Sequence, residues 1–128
     1  CEPVYYVQAL LYDRNAFGFH RDRFVEAVKA ELPSARLRET VPLIGAGYVR
    51  PLYLQAFYQR PMTPCSFNCP RYKGKASYRP GLCPVAERMH FHELITHEFM
   101  RPGMSPRDLD DVVRAFEKVQ RNQAELAE

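Results

Sequence analysis

Apolar positions follow strand-like and helical spacing in turn along the chain. Residues 3–13 are rich in Val, Tyr and Leu, a composition that favours a β-strand. From His20 to Leu32 the apolar residues recur at helical intervals, which predicts an amphipathic helix ended by Pro33. The predicted buried stripe is Phe24, Val25, Val28 and Leu32, and the residues expected largely on the other side are Arg21, Asp22, Lys29 and Glu31.

The middle of the chain is less regular. A short strand is predicted over Ala35–Glu39, and an extended segment over Gly45–Tyr53, in which Pro51 is incompatible with a central ladder position. Residues 60–82 are rich in proline and show little periodicity, which predicts a long loop. Loops of this length inside compact domains are usually functional or mobile, so this one is expected near an active-site mouth or a subunit contact.

Regular patterns return in the last third of the chain. Pro84 suits the first turn of a short helix reaching about Phe91, and Leu94–Met100 alternates as a strand does. Ser105 as N-cap, with Asp108 three residues later, predicts the start of a final helix. Its expected buried stripe is Leu109, Val112, Val113, Phe116 and Val119.

This order of elements predicts an α+β fold, in which helices pack on a small, mainly antiparallel sheet. The 128 residues fit a single domain over 1–128, and 26% charged and 46% hydrophobic residues are typical of globular proteins. The net charge of +3 is spread among acids, which argues against a nucleic-acid partner. Pro42 and Pro51 interrupt the apolar stretches, which argues against a membrane span. A strand-like run directly after Cys1 predicts a chain cut from a longer polypeptide.

Sulfur and imidazole groups are the most chemically distinctive cluster. Cys65, Cys69 and Cys83 precede His90, His92 and His97, and thiolate plus imidazole is the ligand set that zinc prefers. The Cys-x3-Cys spacing is looser than a usual zinc knuckle, and no fourth ligand stands out. One alternative is a metal-stabilised binding module using the three cysteines and a histidine. The others are free cysteines in a reducing cytoplasm with histidines near a surface or a subunit contact, and a disulfide between Cys65 and Cys69, which is less favoured inside the cell.

Arg50 lies in the extended segment, with Tyr48 and Tyr53 on either side. A planar guanidinium beside aromatic edges suits a carboxylate or sugar hydroxyls. The alternative is a surface arginine stacked on a tyrosine.

Two segments resemble the C-terminal part of the DegT/DnrJ/StrS-type aminotransferases. One is Gly47–Gln59, which reads GYVRPLYLQAFYQ, and the other is Cys83–Met89, which reads CPVAERM. The run from Ile95 to Pro102 resembles the branch that acts on cyclitols and keto sugars, and the helix from Asp108 to Val119 matches in place. The likeness spans nearly the whole chain.

The resemblance implies the small C-terminal domain of a type I aminotransferase fold. In that family a large domain binds pyridoxal phosphate through a Schiff-base lysine, and the active site forms in a cytoplasmic homodimer. The reaction moves an amino group from glutamate or glutamine to a keto sugar or cyclitol. The small domain closes over the substrate side. The resemblance therefore places Tyr48, Arg50 and Tyr53 at the wall of the cleft and makes them the candidate substrate-binding residues.

The lysines depart from the family's catalytic pattern. A Schiff-base lysine sits desolvated beside its cofactor, with a phosphate cup around it. Two lysines, Lys29 and Lys118, lie on predicted amphipathic helices. The other two, Lys73 and Lys75, lie in the predicted proline-rich loop. We therefore expect no catalytic or cofactor-binding residue in this chain, no bound pyridoxal phosphate and no activity of the chain alone.

Overall fold

The computed structural model describes residues 5–32, 43–59, 71, 74 and 77–127. The strand predicted over Ala35–Glu39 and most of the predicted loop over 60–82 lie outside these residues, as do Cys65 and Cys69.

The described residues form an α+β fold around a three-stranded antiparallel sheet. Its strands are β1 (Gln8–Leu11), β2 (Ile44–Ala46) and β3 (Leu94–His97), in the order β1-β3-β2. Ile95 of the central strand pairs with Leu10 on one side and with Ala46 on the other. The predicted antiparallel α+β architecture is confirmed at this level, with strands shorter than the sequence patterns predict.

Helices and turns connect and cover these strands. In chain order they are α1 (Arg14–Phe17), α2 (Arg21–Glu31), a 3-10 helix (Leu52–Leu54), α3 (Ala56–Gln59), α4 (Pro84–Arg88), a π-helical turn (Met89–Glu93), α5 (Pro106–Arg121) and α6 (Gln123–Ala127). The predicted helix to Phe91 is thus an α-helix followed by a wider turn. Among the helices of the described ranges, none combines the length with the apolar character that crossing a bilayer requires.

The core lies where α2 packs on the sheet and on α5. Val25 and Val28 of α2 are fully buried, which confirms the predicted stripe. Arg21 was expected on the opposite side of α2, and this is wrong, because its side chain is only 3% exposed. The buried cluster comprises Tyr12, Phe19, Phe24, Val25, Val28, Ile44, Ile95, Phe99 and Val119.

Helix α5 begins at the N-cap that the sequence predicts, Ser105, and the structure adds a capping box there. The Ser105 hydroxyl accepts a hydrogen bond from the Asp108 N–H, and the Asp108 carboxylate accepts from the Ser105 N–H at 2.7 Å. The buried stripe is predicted correctly only toward the end of the helix, where Val119 is buried. Leu109 is 37% exposed and Val113 is 55% exposed. The buried core of the described residues reaches the C-terminal half of α5 and leaves these two side chains outside it.

Candidate functional site

The turn after β2 packs directly against the π-helical turn. Gly47 has a φ of 76°, and its N–H donates to the Leu94 carbonyl oxygen at 2.6 Å. A Cβ atom at this position would lie 2.7 Å from the His90 carbonyl oxygen and 3.0 Å from His90 Nδ1. Both the positive φ and the close approach require glycine, so the backbone leading to Arg50 is held against His90.

Arg50 presents its charge at the end of this turn. Its side chain is exposed, as is that of Tyr48, and its carbonyl oxygen accepts from Gln55 Nε2 at 3.3 Å. Within the described part of the chain, the guanidinium has neither a hydrogen-bond partner nor an ion-pair partner. The predicted binding residue is therefore a cation available to a ligand.

His90 lies close enough to that cation to feel its charge. Burial lowers its pKa below the usual 6.5, and the charges of Arg21 and Arg50 lower it further. Its Nδ1 atom is buried and has no hydrogen-bond partner among the described residues. The pKa shift means that His90 is protonated less readily than an ordinary histidine, and the positive charge of Arg50 is one of its causes.

Arg21 holds the π-helical turn in place from beneath. Its Nη1 donates to the carbonyl oxygens of His90 at 2.8 Å and Leu94 at 2.9 Å. Its Nε and Nη2 atoms both donate to Asp22 Oδ1, at 3.0 and 2.8 Å. The buried charge is therefore paired, and the carbonyl oxygens at the end of the turn are satisfied.

Tyr53, the third predicted binding residue, has a different environment from Tyr48 and Arg50. It is 8% exposed, and its hydroxyl donates to the Glu87 carboxylate of α4. Burial raises the pKa of Tyr53, and the Glu87 hydrogen bond raises it further. Glu87 also accepts from the Gly81 N–H at 2.6 Å. Through this hydrogen bond, Tyr53 connects the 3-10 helix to α4. A role of Tyr53 in binding substrate stays a prediction.

No protein-family model, curated protein or solved structure matches this chain. The interpretation of the site therefore rests on its own chemistry: an exposed guanidinium on a turn whose backbone is tightly held. Such a group pairs with carboxylates in two parallel hydrogen bonds and also donates to hydroxyls.

The predicted cysteine and histidine set is not assembled by the described residues. Cys83 is an exposed free cysteine, whereas Cys65 and Cys69 lie outside the described ranges. Over those ranges, no group of three or more His, Cys, Asp or Glu side chains could hold a metal ion. The histidines also diverge, since His90 packs on Gly47 and His97 stacks on Phe99 with ring centroids 5.0 Å apart.

A pair of histidines that the sequence patterns did not predict lies beside α2. His20 is the N-cap of α2, and its Nε2 atom is 3.3 Å from Nδ1 of His92 in the π-helical turn. The two residues are 72 positions apart, so no local spacing in the sequence indicates the contact.

The described lysines do not fit a pyridoxal phosphate site. Lys29 pairs with Glu26 at 2.7 Å, and Lys118 pairs with Glu31 at 2.6 Å, on helix surfaces. Neither is desolvated as a Schiff-base lysine must be. Lys73 and Lys75 lie outside the described residues.

Proposed function

We propose that this chain is the C-terminal small domain of a DegT/DnrJ/StrS-type, pyridoxal phosphate-dependent sugar aminotransferase, and that Arg50 binds substrate there. The observation that supports the proposal best is the exposed Arg50 guanidinium, which has no partner among the described residues. The turn beneath it is fixed by the Gly47 contact with His90. An arginine placed in this way suits the carboxylate of an amino donor or the hydroxyls of a keto sugar or cyclitol.

The chemistry of amino transfer belongs, in this proposal, to a large domain that carries the cofactor and its lysine. Lys29 and Lys118, the described lysines, do not provide such a group, and the proposal expects the chain alone to be inert. Arg50 contributes orientation and charge, and Tyr48 contributes an exposed ring beside it. This division of labour is typical of cofactor enzymes, in which the protein binds and orients the reacting molecule.

Exposed apolar side chains next to Arg50 support the idea that a partner covers this surface. Val49 is 61% exposed, Leu52 is 64% exposed and Tyr48 is 53% exposed. A group of exposed apolar residues on one surface is typical of an interaction site. In the proposal the partners are the large domain and a second subunit of a cytoplasmic homodimer, with part of the predicted loop over 60–82 near the active-site mouth or the subunit contact.

The first experiment uses the chain by itself with pyridoxal phosphate. We expect no internal-aldimine absorbance band and no transaminase activity. A stoichiometric adduct that borohydride fixes on one specific lysine would contradict the assignment of the cofactor to another domain. The sequence encoded upstream of Cys1 is the companion test, and it should carry a lysine-bearing cofactor domain.

The second experiment uses the full-length enzyme with Arg50→Ala and Arg50→Lys. We expect kcat/KM of Arg50→Ala to fall by at least about tenfold, with only partial recovery in Arg50→Lys, because lysine cannot form the paired hydrogen bonds. The melting temperature should stay unchanged in both variants. Arg23→Ala is the matched control, because Arg23 is exposed on α2, outside the site. Normal kinetics in an Arg50→Ala protein with a lowered melting temperature would make Arg50 a structural residue.

A further inference from the structure

We infer that His20 and His92 form a binding site for a divalent transition metal ion, with zinc as the best-suited ion. The site joins the start of α2 to the π-helical turn. It is independent of the proposed function, which uses neither side chain.

The separation of the two ring nitrogens is the main observation. His20 Nε2 and His92 Nδ1 are 3.3 Å apart, at the long end for a hydrogen bond. Zinc binds imidazole nitrogen at about 2.0–2.1 Å in tetrahedral geometry, which places two such nitrogens about 3.3 Å apart. The two rings are nearly perpendicular, at 85°, in an edge-to-face arrangement rather than a stack. The contact is exposed, so water can supply the remaining ligands.

The carboxylate of Asp22 lies near the ring nitrogen of His20 that does not face His92. Asp22 Oδ2 is 3.5 Å from His20 Nδ1, the ring nitrogen that faces away from His92. Metal-binding histidines usually donate their second N–H to a carboxylate, which fixes the tautomer. The Asp22 N–H lies 3.3 Å from His20 Nδ1 and can donate to it only while Nδ1 carries no proton. Metal binding at Nε2 requires the neutral ring to carry its proton on Nδ1, so it exchanges this N-cap hydrogen bond for one from Nδ1–H to Asp22 Oδ2.

The neighbouring charges are compatible with a bound cation. Arg21 is paired with Asp22 Oδ1 and with backbone carbonyl oxygens, and Arg88 is paired with Glu93 at 2.8 Å. Since the described residues offer no third protein ligand of the usual types, affinity should be modest. The bound ion would link two segments of the fold that are distant in sequence, and it would stabilise the folded state by mass action.

The test is a zinc titration of the full chain, followed by calorimetry and by the melting temperature. His20→Asn keeps a good N-cap residue while removing the imidazole, and His92→Gln removes the second ligand. We expect each variant to lose affinity by at least about tenfold. Zinc should not raise the melting temperature of either variant. Without zinc, each variant should melt at the same temperature as the metal-free wild type. Paramagnetic Co²⁺ should broaden the ring protons of His20 and His92 ahead of those of His90 and His97.

The control is a variant with all four cysteines, Cys1, Cys65, Cys69 and Cys83, replaced by serine. It should bind zinc as the wild type does. Loss of binding in this variant, with binding kept in His20→Asn, would overturn the inference and favour a cysteine site. A wild-type chain whose melting temperature and histidine signals do not respond to zinc or Co²⁺ would also overturn it.

Discussion

The guanidinium of Arg21, buried at the start of α2, donates to the carbonyl oxygen of His90 at a distance of 2.8 Å. Through this contact, α2 supports the same turn against which Gly47 packs. The cation that points inward, Arg21, therefore determines the surroundings of the cation that points outward, Arg50.

Replacing Arg21 should destabilise the fold strongly. Arg21→Leu removes the side-chain donor to the carbonyl oxygens of His90 and Leu94, although the Leu94 oxygen keeps its hydrogen bond from the Gly47 N–H. We expect a loss of about 3 kcal/mol in the free energy of unfolding. Urea denaturation measures this loss. Arg23→Ala, an exposed arginine on the same helix, should change it by less than about 0.5 kcal/mol. Equal effects of the two substitutions would show that the buried hydrogen bonds contribute little.

The Gly47 turn should tolerate no side chain. Gly47→Ala combines an unfavourable positive φ with a 2.7 Å approach to a backbone oxygen, and we expect it to cost more than about 2 kcal/mol. Gly18→Ala is the matched control, because Gly18 has a φ of 82° and no atom within 4 Å of an added Cβ. Its cost should be about 1 kcal/mol. Thermal unfolding of the two variants isolates the steric contribution, and equal costs would contradict the close approach to His90.

Acid should weaken the contact between α4 and the 3-10 helix. The Tyr53 hydrogen bond, followed by those of Gly81 and Cys83, holds the pKa of Glu87 below its usual 4.5. A lowered folded-state pKa contributes stability that is present above pH 4.5 and is lost as the pH falls through the lowered value. Melting temperatures measured at pH 3 to 7 should therefore fall more in the wild type than in Glu87→Gln.

Asp108 should also lose its contribution to stability as the pH falls, because hydrogen bonds from Ser105 lower the pKa of its carboxyl. This background is common to wild type and Glu87→Gln, so the difference between their curves reports Glu87 alone. Parallel curves would show that Glu87 is not linked to folding.

The start of α5 depends on its cap. Ser105→Ala should cost about 1 kcal/mol, because the Asp108 N–H loses its acceptor, whereas Ser105→Gly should cost only a few tenths. Chemical denaturation separates the two values. An equal loss in both variants would locate the effect in the hydroxyl acceptor that both lack, and would contradict the expected advantage of glycine in the backbone conformation of an N-cap.

Local patterns predicted the elements whose signals lie close together in sequence. The α5 cap follows from Ser105 and Asp108, and the central strand follows from the alternation after Leu94. The burial of Arg21 was also within reach of the sequence, because it precedes Phe24 by three residues and Val25 by four, on the same helix face. Because Arg21 is charged, the pattern placed it on the exposed side of the helix. A buried arginine needs hydrogen-bond partners, and these come from segments that only the fold brings together.

Other features depend on contacts between distant segments. The π-helical turn is stabilised by Arg21, which lies about 70 residues earlier in the chain, and no periodicity can indicate this. In the same way, the exposure of Val113 depends on which part of α5 the core reaches. The substrate-binding roles of Tyr48, Arg50 and Tyr53 stay predictions: the first two side chains are exposed, whereas the Tyr53 hydroxyl donates to Glu87, a contact that the sequence patterns did not predict.

The π-helical turn from Met89 to Glu93 also makes the chain sensitive to deletion. Its wide spiral ends with the Leu94 N–H donating to the Met89 carbonyl oxygen, which leaves the His90 oxygen for Arg21. Removing one residue from this stretch would tighten it into an ordinary helix and rotate every side chain that precedes β3. Arg21 would lose an acceptor, and His92 would turn away from His20. Homologous sequences should therefore vary in composition here more readily than in length.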